Sequence, residues 1–349
     1  MGKLAIKYYF DLMLLAVTFL FVILSFWGLF GGGANPITSK ASAVLCFLLP
    51  LFLIGDAFFV VFWLIRRRYY WTVIALLPLL CSIRYLGTMY QFRSSGMEKE
   101  QVRGVKIATY NVAMFGGEAS GFIAQDILLS MKEEKVDILC LQEYDDNMSQ
   151  TTNSELYSEY FPYKAFGRDD MIIYSRYPIV KQKKIDFEET NNSAQWADVN
   201  VNGKVIRVFN VHMETTSVNR TLAKAGEDLT ISEEGKLLGK LYDGYTFGLM
   251  VRAGQAALVA NEERMSELPV VLCGDFNDVP YSYVYNVLKG QLVDGFRECG
   301  SGWMYTYRGG MKKFRIDYIF FDPSFKGVNY YKRELTYSDH FPVFCKIAF

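Results

Sequence analysis

The chain has 349 residues, 51% of them hydrophobic, with 37 basic and 37 acidic side chains and therefore no net charge. A length of this order holds one large domain or two smaller ones. Charge is unevenly spread: residues 1–100 carry nine Lys/Arg against four Asp/Glu, so the remainder is net negative by about five, which argues against a protein that grips nucleic acid through a basic stripe.

The first hundred residues read as a membrane unit. An apolar run from Tyr8 to Phe30 is broken only by Asp11, and Gly31 to Gly33 with Pro36 mark a loop. A second run covers about residues 43–65 and ends at Arg66-Arg67-Arg68; a third covers about residues 69–88, with Arg84 near its far end. The first two reach the ~20 residues that a bilayer-spanning helix needs, and the third comes close. A cleaved signal peptide has an apolar core of only about 7–15 residues. The expectation is a bundle of three transmembrane helices over residues 1–95, followed by a polar linker, 96–102. Lys3, Lys7 and the arginine cluster put the N-terminus and the second loop in the cytoplasm, so three crossings place everything after them outside it; if the third segment does not cross, the domain is cytoplasmic instead. Asp56, midway through the second helix, is a costly intramembrane carboxyl, either functional or paired between helices.

From Val105 the pattern changes to short β-branched runs. Strands are expected at 106–111, 137–142, 171–175, 204–212, 270–274, 316–321 and 341–348, and helices at 124–134, 251–265 and 281–289, where apolar residues recur at helical spacing. Asn219 to Gly248 is the least patterned stretch and reads as a long excursion. Interleaved helices with some strands in direct succession give a mixed-sheet α/β domain over 103–349. Cys140, Cys273 and Cys345 fall inside strand-like apolar runs and read as buried thiols rather than disulfides or metal ligands.

Chemistry-bearing residues recur at the ends of these strands. Asn111 closes Ile107-Ala108-Thr109-Tyr110-Asn111, Glu143 follows Leu139-Cys140-Leu141-Gln142, and His212 ends the strand from Lys204. Asp275 and Asn277 stand in Gly274-Asp275-Phe276-Asn277, Asp317 in Arg315-Ile316-Asp317-Tyr318, and Asp339 and His340 in Ser338-Asp339-His340. The chain has only two histidines, and both lie in this set. Histidine is the side chain best suited to moving protons near neutral pH. In an α/β sheet, strand ends converge on a common crevice, where such residues can meet.

The order of these motifs resembles the endonuclease/exonuclease/phosphatase superfamily, the fold of pancreatic deoxyribonuclease. The resemblance covers about residues 103–349 and is strongest at Gly274-Asp275-Phe276-Asn277 and Ser338-Asp339-His340. It implies a two-sheet β-sandwich flanked by helices, in four layers α/β/β/α, and Mg²⁺- or Mn²⁺-dependent cleavage of phosphate esters. Mg²⁺ favours oxygen ligands and keeps several waters. Glu143 is the foremost ligand candidate, with Asn111 and Asp339 close by or acting through water. Asp275 would orient or deprotonate the attacking water, and Asn277 would donate to a phosphate oxygen. His340, held by Asp317, would face the phosphate as an imidazolium. His212 would be a second phosphate contact or the general acid, oriented by Asp169 or Asp170 and titrating near its ordinary value. Arg252 and Gln255 resemble a family helix position beside the substrate. Tyr305, Tyr307 and Arg308 either contact substrate or pack.

The leading expectation is a membrane-anchored, metal-dependent phosphoesterase outside the cytoplasm, acting on a lipid headgroup or small phosphoester, with no obligate protein partner. A nuclease on extracytoplasmic nucleic acid and a non-catalytic receptor retaining the fold are the alternatives. The intact motif set speaks against the receptor, and a channel or transporter has only Asp56 in its favour.

Overall fold

The computed structural model describes residues 2–93, 102–117, 121–144, 153–168, 170–188, 190–216, 231–309 and 313–349. They form two compact units: residues 1–87 with 281–286, and residues 88–280 with 287–349. Most of the expected linker, 96–102, lies outside the described residues, as does Asp169.

The first unit contains helices Gly2–Gly31, Lys40–Ile65, Tyr69–Cys81 and Ile83–Leu86. Two of them are long and apolar enough to cross a bilayer: Ile6–Gly31 and Lys40–Ile65, each 26 residues with mean hydropathy 2.5 and 2.6. The third expected span falls short. Tyr69–Cys81 has 13 residues, about 20 Å at 1.5 Å per residue, against about 30 Å of hydrocarbon. The apolar run does continue, but the helix carries Pro78 and is interrupted at Ser82. Polar groups on the long helices pair with one another. Ser25 Oγ donates to Asp56 Oδ2 at 2.5 Å, Trp63 Nε1 donates to Thr18 Oγ1 at 2.9 Å, and Arg66 pairs with Asp11. Asp56 is thus a helix-paired carboxyl, completely buried.

The second unit is a sandwich of two six-stranded sheets. The first contains β2 (Val105–Asn111), β3 (Ile138–Gln142), β4 (Tyr163–Phe166), β5 (Met171–Ser175), β13 (Lys326–Lys332) and β14 (Val343–Ala348), in the order β13-β14-β2-β3-β5-β4. The second contains β6 (Ile179–Asp186), β7 (Ser193–Val201), β8 (Lys204–His212), β9 (Val270–Asp275), β10 (Val293–Asp294) and β12 (Asp317–Phe321), in the order β10-β12-β9-β8-β7-β6. In each sheet one central pair is parallel, β2 with β3 and β8 with β9, and the other pairs are antiparallel.

Ile107, Cys140, Ile173, Val208, Val271, Cys273, Ile319 and Cys345 meet between the sheets. The alternate residues of the first sheet, including Ala108, Tyr110, Leu139 and Leu141, turn outward onto Ala124, Ile127, Leu128 and Met131 of helix Phe122–Glu133. Central strands covered on both faces read as continuous apolar runs, and β3, β5 and β9 are buried throughout. The cysteines are free thiols. The expected excursion 219–248 is corrected in part: residues 217–230 lie outside the described set, and Ile231 opens a helix that runs to Arg264.

A short extension precedes the sandwich strands. β1 (Tyr90–Gln91) pairs antiparallel with β11 (Gly302–Trp303), and Met304 N donates to Met89 O at 2.8 Å. Arg315 Nη1 donates to Thr88 O and to Asp294 Oδ2, each at 2.9 Å. Arg315 and Asp294 are both fully buried, and the guanidinium lies over the rings of Phe296, Tyr318 and Tyr330.

Candidate active site

The topology brings the expected residues to one end of the sandwich. The C-terminal ends of parallel strands β2, β3, β8 and β9 carry Asn111, Glu143, His212 and Asp275. The N-terminal starts of their antiparallel neighbours β5, β12 and β14 lie beside them and carry Asp170, Asp317 and His340. Register fixes the meeting: Asp275 is opposite both His212 and Asp317, and Asn111 is opposite Gln142.

Local backbone chemistry tightens this end. Gly274 has φ +138°, and a Cβ there would lie 1.9 Å from Val211 O. Only glycine lets β9 run this close to β8 just before Asp275. Glu143 and Asn277 both take left-handed conformations, with φ of 48° and 50°, a cost tolerated mainly at functional positions. Asn277 is held there by its own surroundings: its backbone N–H donates to Asp275 Oδ1 at 2.9 Å, and its side-chain amide donates to Met213 O at 2.9 Å and to Asp275 Oδ2 at 3.3 Å.

Two histidine–carboxylate pairs flank Asp275. His340 Nδ1 donates to Asp317, at 3.1 Å and 2.9 Å from its two oxygens, and His340 Nε2 lies 3.6 Å from Asp275 Oδ2. His212 Nδ1 donates to Asp170 Oδ2 at 2.9 Å, and its Nε2 lies 3.7 Å from Glu143 Oε1. Carboxylates only accept, so in both rings Nδ1 carries the hydrogen and Nε2 faces the crevice. Of the two candidates for orienting His212, Asp170 does so. Burial alone would favour the neutral His340 ring, but the charges of Asp317 and Asp275 outweigh it and hold its pKa up at about 10. The pKa of His212 is also raised, against the expectation of an ordinary value: burial opposes the charge, while the hydrogen bond to Asp170 and the charge of Asp275 prevail. Burial pushes Asp275 up to about 6, opposed by the positive charge of His340.

Asn111 links the two halves. Its amide nitrogen donates to Glu143 Oε1 at 2.9 Å and to Asp275 Oδ2 at 3.1 Å, while its oxygen accepts from Ala113 N at 3.0 Å. The partners fix this orientation, because carboxylates only accept and a backbone N–H only donates. The Asn111 oxygen thus accepts one hydrogen bond and keeps a second lone pair, while its amide nitrogen bridges the two carboxylates. Asp275, Asp317 and His340 bring ligand atoms within 4.8 Å of one another. With the ring positively charged and both Asp317 oxygens facing it, this trio suits an ion-paired histidine rather than a cation cage. Glu143, half-exposed, and Asp339, exposed on the rim, supply the hard oxygen donors that a divalent ion favours.

Arg252 departs from its expected place on the substrate. It is completely buried, with Nη1 donating to Glu214 O at 2.9 Å and Nε 3.6 Å from Asp278 Oδ2. Gln255 accepts from Glu214 N at 2.9 Å, so both support the chain just beyond His212. Tyr307 packs edge-on against His340 with ring centroids 5.1 Å apart, and Arg308 donates to the carbonyls of Thr336 and Ser338.

Several supporting roles are not visible in the sequence, that of Ser338 within its motif among them. Ser338 Oγ donates to Asn111 O at 2.8 Å and accepts from His340 N at 3.0 Å, tying the two motifs together. Thr306 Oγ1 accepts from the backbone N–H of Ile316 and of Asp317, both at 3.0 Å. Gln142 Nε2 donates to Asn210 Oδ1 at 2.6 Å across the two sheets. For Gln142 and Asn210 the one sequence signal is a polar residue inside an otherwise apolar strand, whereas Thr306 and Ser338 stand outside the strands.

The model of the Endonuclease/Exonuclease/phosphatase family matches residues 108–340. A mannosyl-6-phosphatase of Bacteroides thetaiotaomicron aligns with 21% identity and a TM-score of 0.50, over 70% of this chain and 100% of that one. A humanized TDP2 of D. rerio aligns with 18% identity and a TM-score of 0.51, over 70% and 99%. A Bacteroides vulgatus protein described as an endonuclease/exonuclease/phosphatase aligns with 17% identity and a TM-score of 0.50, over 71% and 99%. At these identities the likeness is one of fold. No curated protein matches the chain.

Proposed function

This chain belongs to the endonuclease/exonuclease/phosphatase family, hydrolases of phosphate esters, and we propose that it is a membrane-anchored, divalent-metal-dependent phosphoesterase. One observation carries the reading: two histidine–carboxylate pairs, Asp170–His212 and Asp317–His340, flank Asp275, and Asn111 joins Asp275 to Glu143. Hydrolysis needs an activated water, a neutralised phosphate and a protonated leaving group. Asp275 orients the water and accepts its proton. His340 presents a charged N–H to a phosphate oxygen, and Asn277, whose amide donates to Met213 O and Asp275 Oδ2, would reach a second only by giving up one of these bonds. His212 Nε2 delivers a proton to the leaving oxygen, with Asp170 holding the ring in place. Glu143, with Asp339 and Asn111, would hold the cation, Mg²⁺ or Mn²⁺, and the amide nitrogen of Asn111 positions Glu143. When bound, that ion adds positive charge against the phosphate.

Helices Ile6–Gly31 and Lys40–Ile65 are the anchor. The expected extracytoplasmic domain required a third crossing through residues 69–88. Two crossings keep Lys3, Lys7 and Arg66–Arg68 together on the cytoplasmic side, and the sandwich follows the arginines on that side.

The test is a panel of phosphodiesters and phosphomonoesters offered to the full-length protein with and without Mg²⁺. Glu143→Gln keeps the shape of the side chain but removes the negative charge that would attract the ion. Activity should vanish in EDTA and in the variant, with the melting temperature of the metal-free protein nearly unchanged. Full activity in either case would sink the metal mechanism.

A further inference from the structure

Asp317 and His340 are 23 positions apart in the chain and stand at the starts of strands in different sheets. A third segment, Thr306-Tyr307-Arg308, bonds to both. Its backbone runs between two others. On one side, Thr306 N and Tyr307 N donate to Phe314 O at 2.8 Å and 2.9 Å. On the other, Phe341 N donates to Thr306 O at 2.7 Å and Arg308 N donates to Asp339 O at 2.9 Å. Tyr307 is thereby bridged, antiparallel, to Phe314 and to His340.

The side chains extend this hold. β10 pairs with β12 only at Phe320 and Phe321. At the start of β12 the hydroxyl of Thr306, fully buried, accepts from the backbone N–H groups of Ile316 and Asp317, each at 3.0 Å. Arg308 works on the His340 side. Its Nη2 donates to Thr336 O at 2.8 Å and to Ser338 O at 2.9 Å, and its Nε donates to Ser338 O at 3.1 Å. The same guanidinium lies 5.2 Å over the ring of Phe341. Charge alone would not require such bracing. A carboxylate attracts an imidazolium from any direction, whereas an N–H that serves a reacting phosphate must point to one place, and a misplacement of about 1 Å can cost roughly 10²-fold in rate.

We propose that Thr306 and Arg308 are positioning residues that act through the Asp317–His340 pair. Thr306 fixes the carboxylate through the backbone of Asp317, and Arg308 fixes the loop that delivers the ring. The inference rests on the phosphoesterase reading above, in which His340 Nε2 faces the phosphate. Neither residue acts on the phosphate itself, so the effect of each should depend on the presence of His340.

The experiment uses the full-length protein in detergent with Mg²⁺ and nitrophenyl phosphate esters, assayed well below the melting temperature of each variant. Thr306→Val keeps the shape of the side chain and removes the acceptor; Thr306→Ser keeps the acceptor. Arg308→Lys keeps the charge but not the planar fork that serves the carbonyls of Thr336 and Ser338. Thr306→Val and Arg308→Lys should each lower kcat by about 10- to 100-fold, while Thr306→Ser should stay close to the wild type. Made in a His340→Ala background, the same changes should cost little, because the pair they serve is gone. In a His212→Ala background each should cost its full factor. Equal losses in every background would show a general loss of structure and overturn the inference. So would Thr306→Ser failing like Thr306→Val, or Arg308→Lys matching the wild type. If Thr306→Val does not fold, Arg308→Lys across the same backgrounds decides. A wild-type protein that cleaves no ester would instead overturn the phosphoesterase reading beneath the inference.

Discussion

Replacing Asp317 with asparagine keeps the shape of the His340 partner and removes its charge. The pKa of His340 stands at about 10 against an ordinary 6.5; at about 1.36 kcal/mol per pH unit, that is on the order of 5 kcal/mol of preference for the imidazolium. Burial works against the charged ring, and Asp317 is the strongest of the groups that overcome it. Without that carboxylate, the titration of the ring should descend into the assayed range. The kcat/KM of the wild-type protein should show no loss from His340 between about pH 6 and pH 9. Asp317→Asn should lose activity progressively as pH rises, reaching roughly 10²- to 10⁴-fold at the alkaline end. Stability gives an independent reading. A raised pKa in the folded state contributes stability that is complete below about 6.5 and is lost as pH climbs towards about 10. Urea unfolding of the metal-free protein should therefore show a decline over that window in the wild type and a flatter curve in the variant. His340→Ala added to Asp317→Asn should be little worse than His340→Ala alone, because the two act as one unit. A wild-type pH profile in Asp317→Asn, or fully additive losses in the double variant, would refute the pairing.

The proton-donor role of His212 predicts that His212→Ala loses far less activity on a nitrophenyl ester, whose leaving group needs no proton, than on an alkyl ester; equal losses would make His212 a phosphate contact only. Gly274→Ala puts a methyl 1.9 Å from Val211 O at a φ of +138°, and should cost about 3–4 kcal/mol or more; a denaturation midpoint like that of the wild type would show that β8 and β9 can part freely. A C-terminal fluorescent-protein fusion should glow and an alkaline phosphatase fusion should be silent, as two crossings require. The reverse pattern would mean that residues 69–88 also cross.

How far the sequence revealed this molecule depended on where each strand sits. β3, β5 and β9 are covered on both faces and announce themselves as unbroken apolar runs. β6 was missed because it is a sheet edge whose Lys181, Gln182, Lys183 and Lys184 all face solvent. β7 was missed for the opposite reason: it buries Gln195 and Asp198, the latter held by two hydrogen bonds from Arg207, at 2.7 Å and 3.0 Å. The helix from Ile231 was unreadable because residues 235–243 are mostly exposed and leave no apolar stripe. At the site, the strand-end acids and histidines were visible as types and positions. Thr306, Ser338 and the Gln142–Asn210 bridge were not, since their importance lies in partners far away in sequence. Arg252 is a charged helix residue whose complete burial, with Nη1 donating to Glu214 O, its local sequence did not announce.

The extension Thr88–Gln91 bears on how the catalytic unit should be cut free. A boundary chosen at residue 103, where the strand pattern begins, would strip an edge strand from β11 and one of the two partners of Arg315 Nη1, two residues before Asp317. A soluble fragment starting at Thr88 keeps these bonds and should be the more active of the two. The same connection ties the start of the unit to its chemistry: loss of the β1–β11 ladder and of the Thr88 bond to Arg315 should disturb the segment that leads into Asp317.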